Sequence, residues 1–92
     1  MTFSVTVLPT AENQMLAMAI WWADQRSSEQ AAAWLSGLEQ AITQLQSDPE
    51  SWPVATESDR FDFALREMPY GLNNKKTHRV LFEVSDDRVF VH

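Results

Sequence analysis

The chain has 92 residues, enough for one small domain, and its 45% hydrophobic content is in the globular range. It lacks cysteine and has only two histidines, His78 and His92, which excludes a disulfide framework and disfavours a zinc site. We therefore expect no bound metal and no cofactor. Thirteen acidic residues against seven basic ones give a formal net charge of −6, which opposes a general nucleic-acid binder.

The distribution of charge leaves room for a local anion-binding surface. Between Arg66 and Arg79 the sequence holds four basic residues and one acidic residue, whereas the first 65 residues have only Arg26 and Arg60 as basic residues. No apolar run approaches membrane-spanning length, and no basic segment precedes an apolar one. We expect a soluble cytoplasmic protein with no membrane partner.

The first predicted elements are a strand and a helix. Phe3 to Leu8 alternates between apolar and polar side chains, which predicts a half-buried strand that Pro9 ends. Thr10 is the predicted N-cap of a helix that extends to about Arg26.

Two apolar stripes lie side by side on this first helix, and together they are wider than one sheet-facing surface requires. One comprises Leu16, Ala19, Ile20 and Ala23, and the other comprises Met15, Met18 and Trp22. We predict that Met15, Met18 and the Trp21-Trp22 pair make core or helix–helix contacts. The alternative is that part of this surface docks a partner.

A second helix follows after a short break. Ser27 with Gln30 fits a capping box, and the apolar spacing predicts a helix to about Ser47, antiparallel to the first. Its core face is a single stripe comprising Ala31, Trp34, Leu35, Leu38, Ala41, Ile42 and Leu45. Gly37, in the middle of the helix, is predicted to permit close approach of the first helix.

The chain then returns to strand-forming sequence. Asp48-Pro49 ends the helix, and a polar, turn-rich stretch follows. Phe61 to Met68 is the next predicted strand, Pro69 to Gly71 a turn, and Leu72 to Lys76 a polar connector.

The last predicted element is a β-hairpin from Thr77 to Val91 with an acidic turn at Ser85 to Arg88. Arg79 stands just before the apolar run Val80 to Phe82, so the sheet would fix its guanidinium where it could meet a phosphate or a carboxylate. The predicted fold class is α+β, with the order β-α-α-β-β-β and a helical hairpin packed on a small sheet.

Several sequence features, taken in order, resemble the RelE/ParE superfamily of type II toxin–antitoxin toxins. They are Val7-Leu8-Pro9-Thr10-Ala11-Glu12, the helix opening Ala33-Trp34-Leu35-Ser36-Gly37-Leu38, Asp48-Pro49, Asp59-Arg60-Phe61, Leu65-Arg66-Glu67-Met68-Pro69-Tyr70-Gly71 and Arg79-Val80-Leu81-Phe82-Glu83-Val84. The resemblance covers essentially the whole chain as one domain, residues 1–92. It implies a small curved antiparallel sheet, a helical hairpin on one side and a cognate antitoxin as partner.

The family has two branches with different targets. The RelE-like branch is a ribosome-dependent mRNA endoribonuclease, and its arginine on the middle strand matches Arg79. Its members continue beyond the last strand into a tail with a catalytic histidine. His92 falls inside the strand by register, so it is not equated with that residue. The ParE-like branch poisons DNA gyrase without a recognised catalytic constellation.

Candidate residues for a nuclease site can be named only from their chemical type. RNA cleavage needs a base, an acid and a group that stabilises the phosphate. Arg79 could stabilise the phosphate with help from Arg66, Lys75 or Lys76; Glu57 or Glu67 could act as base and His78 as acid.

Structural, non-catalytic roles for the same residues stay open. His78 and Arg79 are adjacent in a strand, so their side chains should point to opposite faces. Arg79 could instead pair with Glu67 or Glu83, His78 could be a surface residue at a strand end, and the two lysines could belong to a solvated connector.

The net charge and the missing tail favour the ParE-like branch, which acts by binding its target. The alternatives are an mRNA endoribonuclease acting with the ribosome, and a degenerate module that retains only antitoxin binding or self-association as a homodimer.

Overall fold

The order β-α-α-β-β-β predicted from the sequence is confirmed in a computed structural model, which describes residues 2–71 and 76–92. The regular elements are β1 (Ser4–Val7), α1 (Pro9–Gln25), α2 (Ser28–Thr43), β2 (Leu65–Tyr70), β3 (His78–Ser85) and β4 (Arg88–Val91). Three short 3₁₀ helices connect α2 to β2, at Gln44–Gln46, Pro49–Ser51 and Thr56–Arg60. No helix in the described ranges has both the length and the hydropathy needed to span a bilayer.

The four strands form one sheet in the order β1-β4-β3-β2. Strands β2, β3 and β4 pair antiparallel, whereas β1 pairs parallel to β4. The sheet is therefore mixed, where the resemblance implied an antiparallel one. Parallel neighbours need a long crossover connection, and here the helical hairpin and two further strands lie between β1 and β4 in the chain.

Strand β2 differs from its predicted position. Residues 61–64 lie outside the strand, and the strand continues through Pro69 to Tyr70, where a turn was predicted. Proline lacks the amide hydrogen that a central strand requires, but β2 is the last strand in the sheet order and Pro69 pairs with Arg79 on one side only.

The core lies between the helical hairpin and one face of the sheet. Val80 and Phe82 of β3 project toward the helices, and Phe82 is completely buried. The core members are Ala11, Trp34, Leu38, Ile42, Leu45, Met68, Tyr70, Val80, Phe82, Val89 and Val91. Because strand side chains alternate, the opposite face, here called the open face, carries Arg79, Leu81 and Glu83 of β3.

Helix α1 begins two residues earlier than predicted. Its N-cap is Leu8 in extended conformation with no side-chain hydrogen bond, so the prediction of Thr10 as N-cap is wrong. Pro9 takes the first helical position, where its fixed φ suits the helix and its missing amide hydrogen costs nothing.

One of the two apolar stripes on α1 faces the core. Met15, Met18 and Trp22 pack against the core, in line with the buried Ala11, as predicted for these three side chains. The prediction is wrong for Trp21, whose ring is exposed together with members of the other stripe: Leu16 is 48%, Ile20 71% and Trp21 51% exposed.

Helix α2 begins as predicted, with Ser27 Oγ accepting a hydrogen bond from the Gln30 backbone N–H at 3.1 Å. It ends at Thr43 and continues as a 3₁₀ turn. Gly37 makes room for a strand residue, and not for α1 as predicted: a Cβ there would collide with the Tyr70 hydroxyl. That hydroxyl donates a hydrogen bond to the Trp34 carbonyl at 2.6 Å.

Candidate functional site

Arg79 lies on the open face of β3 and is held by two carboxylates. One guanidinium nitrogen donates to Glu67 Oε2 at 2.7 Å and to Glu57 Oε1 at 2.9 Å. The second nitrogen pairs with the other Glu57 oxygen. Glu57 therefore makes a bidentate contact with the guanidinium through both carboxylate oxygens, the geometry that suits arginine.

Two different elements bring these carboxylates to Arg79. Glu67 is on the neighbouring strand β2, where it pairs with Leu81 and so shares the open face. Glu57 lies in the 3₁₀ helix Thr56–Arg60, which is fixed beside β2 because Ser58 Oγ accepts a hydrogen bond from the Leu65 amide at 2.8 Å.

The charged groups of Arg79, Glu57 and Glu67 are paired with one another. Hydrogen bonding to Arg79 lowers the pKa of Glu57 from its ordinary value of 4.5 to about 2. The hydrogen bonds to Glu57 and Glu67 raise the pKa of Arg79. Two carboxylates around one guanidinium leave a net negative charge, so a phosphate would have to displace protein groups to reach Arg79.

The structure separates His78 from Arg79. The His78 ring faces the helices, 5.3 Å from the Trp34 ring between centroids, and its Nδ1 lies 2.8 Å from Thr77 Oγ1. It is partly buried. The two side chains thus occupy opposite faces of β3, as strand alternation predicts.

Of the remaining predicted basic residues that the structure describes, Lys76 shares a surface depression with Arg79, whereas Arg66 lies elsewhere. Arg66 projects from the opposite face of β2, and its guanidinium donates to the Trp52 carbonyl at 2.7 Å. Lys76 is exposed and borders a shallow depression that also includes Glu67 and Arg79. Lys75 lies outside the described residues.

A second cluster on the open face was missed by the sequence analysis. The His92 amide donates to the Leu81 carbonyl at 2.8 Å, so His92 keeps the predicted strand register, although β4 itself ends at Val91. Its Nε2 lies 3.0 Å from Glu83 Oε1, and its ring stacks on Phe63 with centroids 5.3 Å apart. The alternation of β4 could have placed His92 on this face, but nothing in the sequence links it to Phe63.

An apolar groove, here called the α1 groove, runs along α1 where it faces the start of β3. It has a volume of about 770 Å³ and is lined by Gln14, Ala17, Met18, Trp21, Trp22, Thr77 and His78. A smaller cavity of about 160 Å³ adjoins it, sharing Gln14, Met18 and His78. Within residues 2–71 and 76–92, no group of three or more histidine and acidic side chains is placed to hold a metal ion.

The fold has a counterpart among solved structures. A chain described as the chromosomal ParDE TA (toxin–antitoxin) system from P. aeruginosa superposes with a TM-score of 0.75, covering 98% of this chain and 90% of that one, at 12% sequence identity. No protein-family model matches the sequence, and no curated protein matches it. The likeness predicted from the sequence is therefore confirmed at the level of structure: the chain has a ParE-like α+β fold.

Proposed function

We propose that this chain is the toxin of a type II toxin–antitoxin pair, that it acts by binding its target, and that a cognate antitoxin neutralises it. The observation that carries the proposal is the likeness, over 98% of the chain, to a chain from a ParDE toxin–antitoxin system. A fold can host several functions, so the mode of action has to be argued from the residues.

The contacts of Arg79 favour binding over RNA cleavage. A nuclease must bring a base, an acid and a phosphate-stabilising group to one place. Here Arg79 is already held by Glu57 and Glu67, while His78 lies on the other face of the strand. We therefore propose the ParE-like mode, with DNA gyrase as the target.

The exposed surface of α1 supports a protein partner. Leu16, Ile20 and Trp21 are all about half exposed or more, and Trp21 borders the α1 groove. Exposed apolar surface of this kind marks interaction sites in many proteins. We propose that the antitoxin covers it.

Inducible expression in a bacterial host tests the mode of action, with growth, mRNA integrity and DNA supercoiling followed in the same cultures. We expect growth arrest with intact mRNA and a supercoiling defect. Co-expression with the product of an adjacent antitoxin-like reading frame should restore growth.

Other outcomes would contradict the proposal in distinct ways. Arrest with ribosome-dependent cuts in mRNA would favour the endoribonuclease, and Arg79→Ala should then abolish toxicity. Normal growth despite accumulation of the folded protein would favour a module that only binds an antitoxin or itself.

A further inference from the structure

The segment 53–63, here called the strap, lies beside β2 and covers part of the open face. The Ala55 amide donates to the Leu65 carbonyl at 2.7 Å, and the Glu67 amide donates to the Pro53 carbonyl at 3.0 Å. Leu65 shares a face with Glu67, away from the helices, yet it is only 2% exposed. The strap therefore acts as a cover for this end of the sheet.

The two backbone hydrogen bonds just described join the strap to β2, and two side-chain contacts reach farther across the sheet. Glu57, near the middle of the strap, is bound by Arg79 of β3. Phe63, at the end of the strap, stacks on His92. Glu57 belongs to the 3₁₀ helix Thr56–Arg60, which has no buried side chain.

We propose that Arg79 is a positioning residue that keeps the strap closed, and that the strap is a two-state element whose open form frees the Arg79 guanidinium and uncovers Leu65. The Glu57 and Arg79 side chains are 25% and 44% exposed, and ion pairs with such access to water are individually weak. Within the strap Ala55 is buried, whereas the 3₁₀ helix Thr56–Arg60 has no buried side chain. A segment with so few buried residues can open locally without global unfolding. The closed form keeps Arg79 neutralised, so the strap regulates access to that residue.

Glu57 and Glu67 offer a matched pair for the test, because both contact Arg79 but only Glu57 belongs to the strap. Amide hydrogen exchange is compared in the wild type, Glu57→Gln and Glu67→Gln, with the β3–β4 ladder amides as an internal reference. Glu57→Gln should accelerate exchange at the Ala55, Leu65 and Glu67 amides by about 3- to 10-fold. Glu67→Gln should leave them within about 2-fold, since Arg79 keeps its contact with Glu57.

Trypsin cleavage after Arg60, an exposed strap residue, provides a second readout and should accelerate in Glu57→Gln and Arg79→Met but not in Glu67→Gln. If both glutamate variants raise exchange equally, Arg79 has only a general electrostatic role and the proposal is wrong. Unchanged exchange and cleavage in Glu57→Gln would also overturn it. Neither readout depends on toxicity, so the strap is tested separately from the proposed function.

Discussion

At position 79 a guanidinium lies between two carboxylates, and this pairing determines what the side chain can offer a ligand. The sequence left open whether Arg79 meets a phosphate or pairs with a nearby acid such as Glu67 or Glu83, and the structure shows the pair with Glu67. Glu57 was considered only as a base. It is 22 residues away in the chain, in a segment whose conformation depends on hydrogen bonds to β2, so no periodic pattern could link it to Arg79.

The Glu57 contact should give stability a specific pH dependence. The folded-state pKa is lowered from 4.5 to about 2, so the contribution is fully present above the unfolded value and is lost as pH falls toward 2. Urea unfolding of the wild type and Glu57→Gln should differ near neutral pH and converge below about pH 2. Glu50→Gln, which makes the same substitution at an exposed residue of another 3₁₀ helix, is the matched control. A difference between wild type and Glu57→Gln that is constant with pH would contradict the assignment.

The absence of a side chain at Gly37 leaves space for the Tyr70 hydroxyl, and this can be tested by substitution. Alanine should improve helix propensity by about 1 kcal/mol, but its Cβ would displace the Tyr70 hydroxyl from the Trp34 carbonyl. Overpacking and the lost buried hydrogen bond should dominate, so Gly37→Ala is expected to lower the unfolding free energy by about 1–3 kcal/mol.

A double-mutant cycle separates these terms for Gly37. In a Tyr70→Phe background the hydroxyl is gone, so Gly37→Ala should cost less than in the wild type, as measured by denaturant unfolding. An equal cost in both backgrounds would show that the Tyr70 hydroxyl is not responsible.

Helix α1 shows where apolar periodicity stops being informative. Two adjacent stripes had equal claim to the core, and the pattern within one helix cannot rank them. The burial of Ala11 settles the choice, because its line continues through Met15 and Met18. Helix α2 has one stripe and no such ambiguity, so Trp34, Leu38 and Ile42 are buried as predicted.

The exposed stripe on α1 should contribute to binding and little to stability. Ile20→Glu replaces a side chain that is 71% exposed, so the unfolding free energy should change by no more than about 0.5 kcal/mol. Copurification with the proposed antitoxin should fall at least about 10-fold if Ile20 lies at the centre of the proposed interface.

Two variants frame this prediction for Ile20. Phe61→Glu alters an exposed aromatic residue away from α1 and should leave antitoxin copurification unchanged. Trp22→Glu should destabilise the fold itself, since Trp22 packs against the core. Undiminished copurification of Ile20→Glu would remove α1 from the proposed interface.

For the molecule as a whole, the order of elements could be predicted because each element has its own apolar periodicity or residues that mark its ends. The sheet order depends on which distant strands meet, and the parallel pairing of β1 with β4 has no local signal. The position of the strap could not be predicted for the same reason, because its polar, turn-rich sequence does not indicate which surface it will cover. Fold class was therefore accessible from the sequence, whereas the partners of Arg79 were not all accessible.

The pairing of β1 with β4 places residue 5 opposite residue 89, so this ladder closes the longest loop in the sheet. Contacts between such distant residues carry a high loop-closure entropy and tend to form late in folding. Val5→Ala should therefore lower stability by about 1–2 kcal/mol, mainly by accelerating unfolding. Stopped-flow kinetics can check this against Leu38→Ala in the helical hairpin, which should slow folding. Equal slowing of folding by both variants would contradict late closure.

This topology also affects how the chain folds during its synthesis on the ribosome. Strand β1 is translated long before β4, the strand that it pairs with in the described part of the chain. Until β4 leaves the exit tunnel, the nascent chain holds a strand with apolar Val5 and Val7 and no neighbour to pair with. The sheet can be completed only after β4 has been translated, so a nascent chain that lacks β4 also lacks the finished sheet surface.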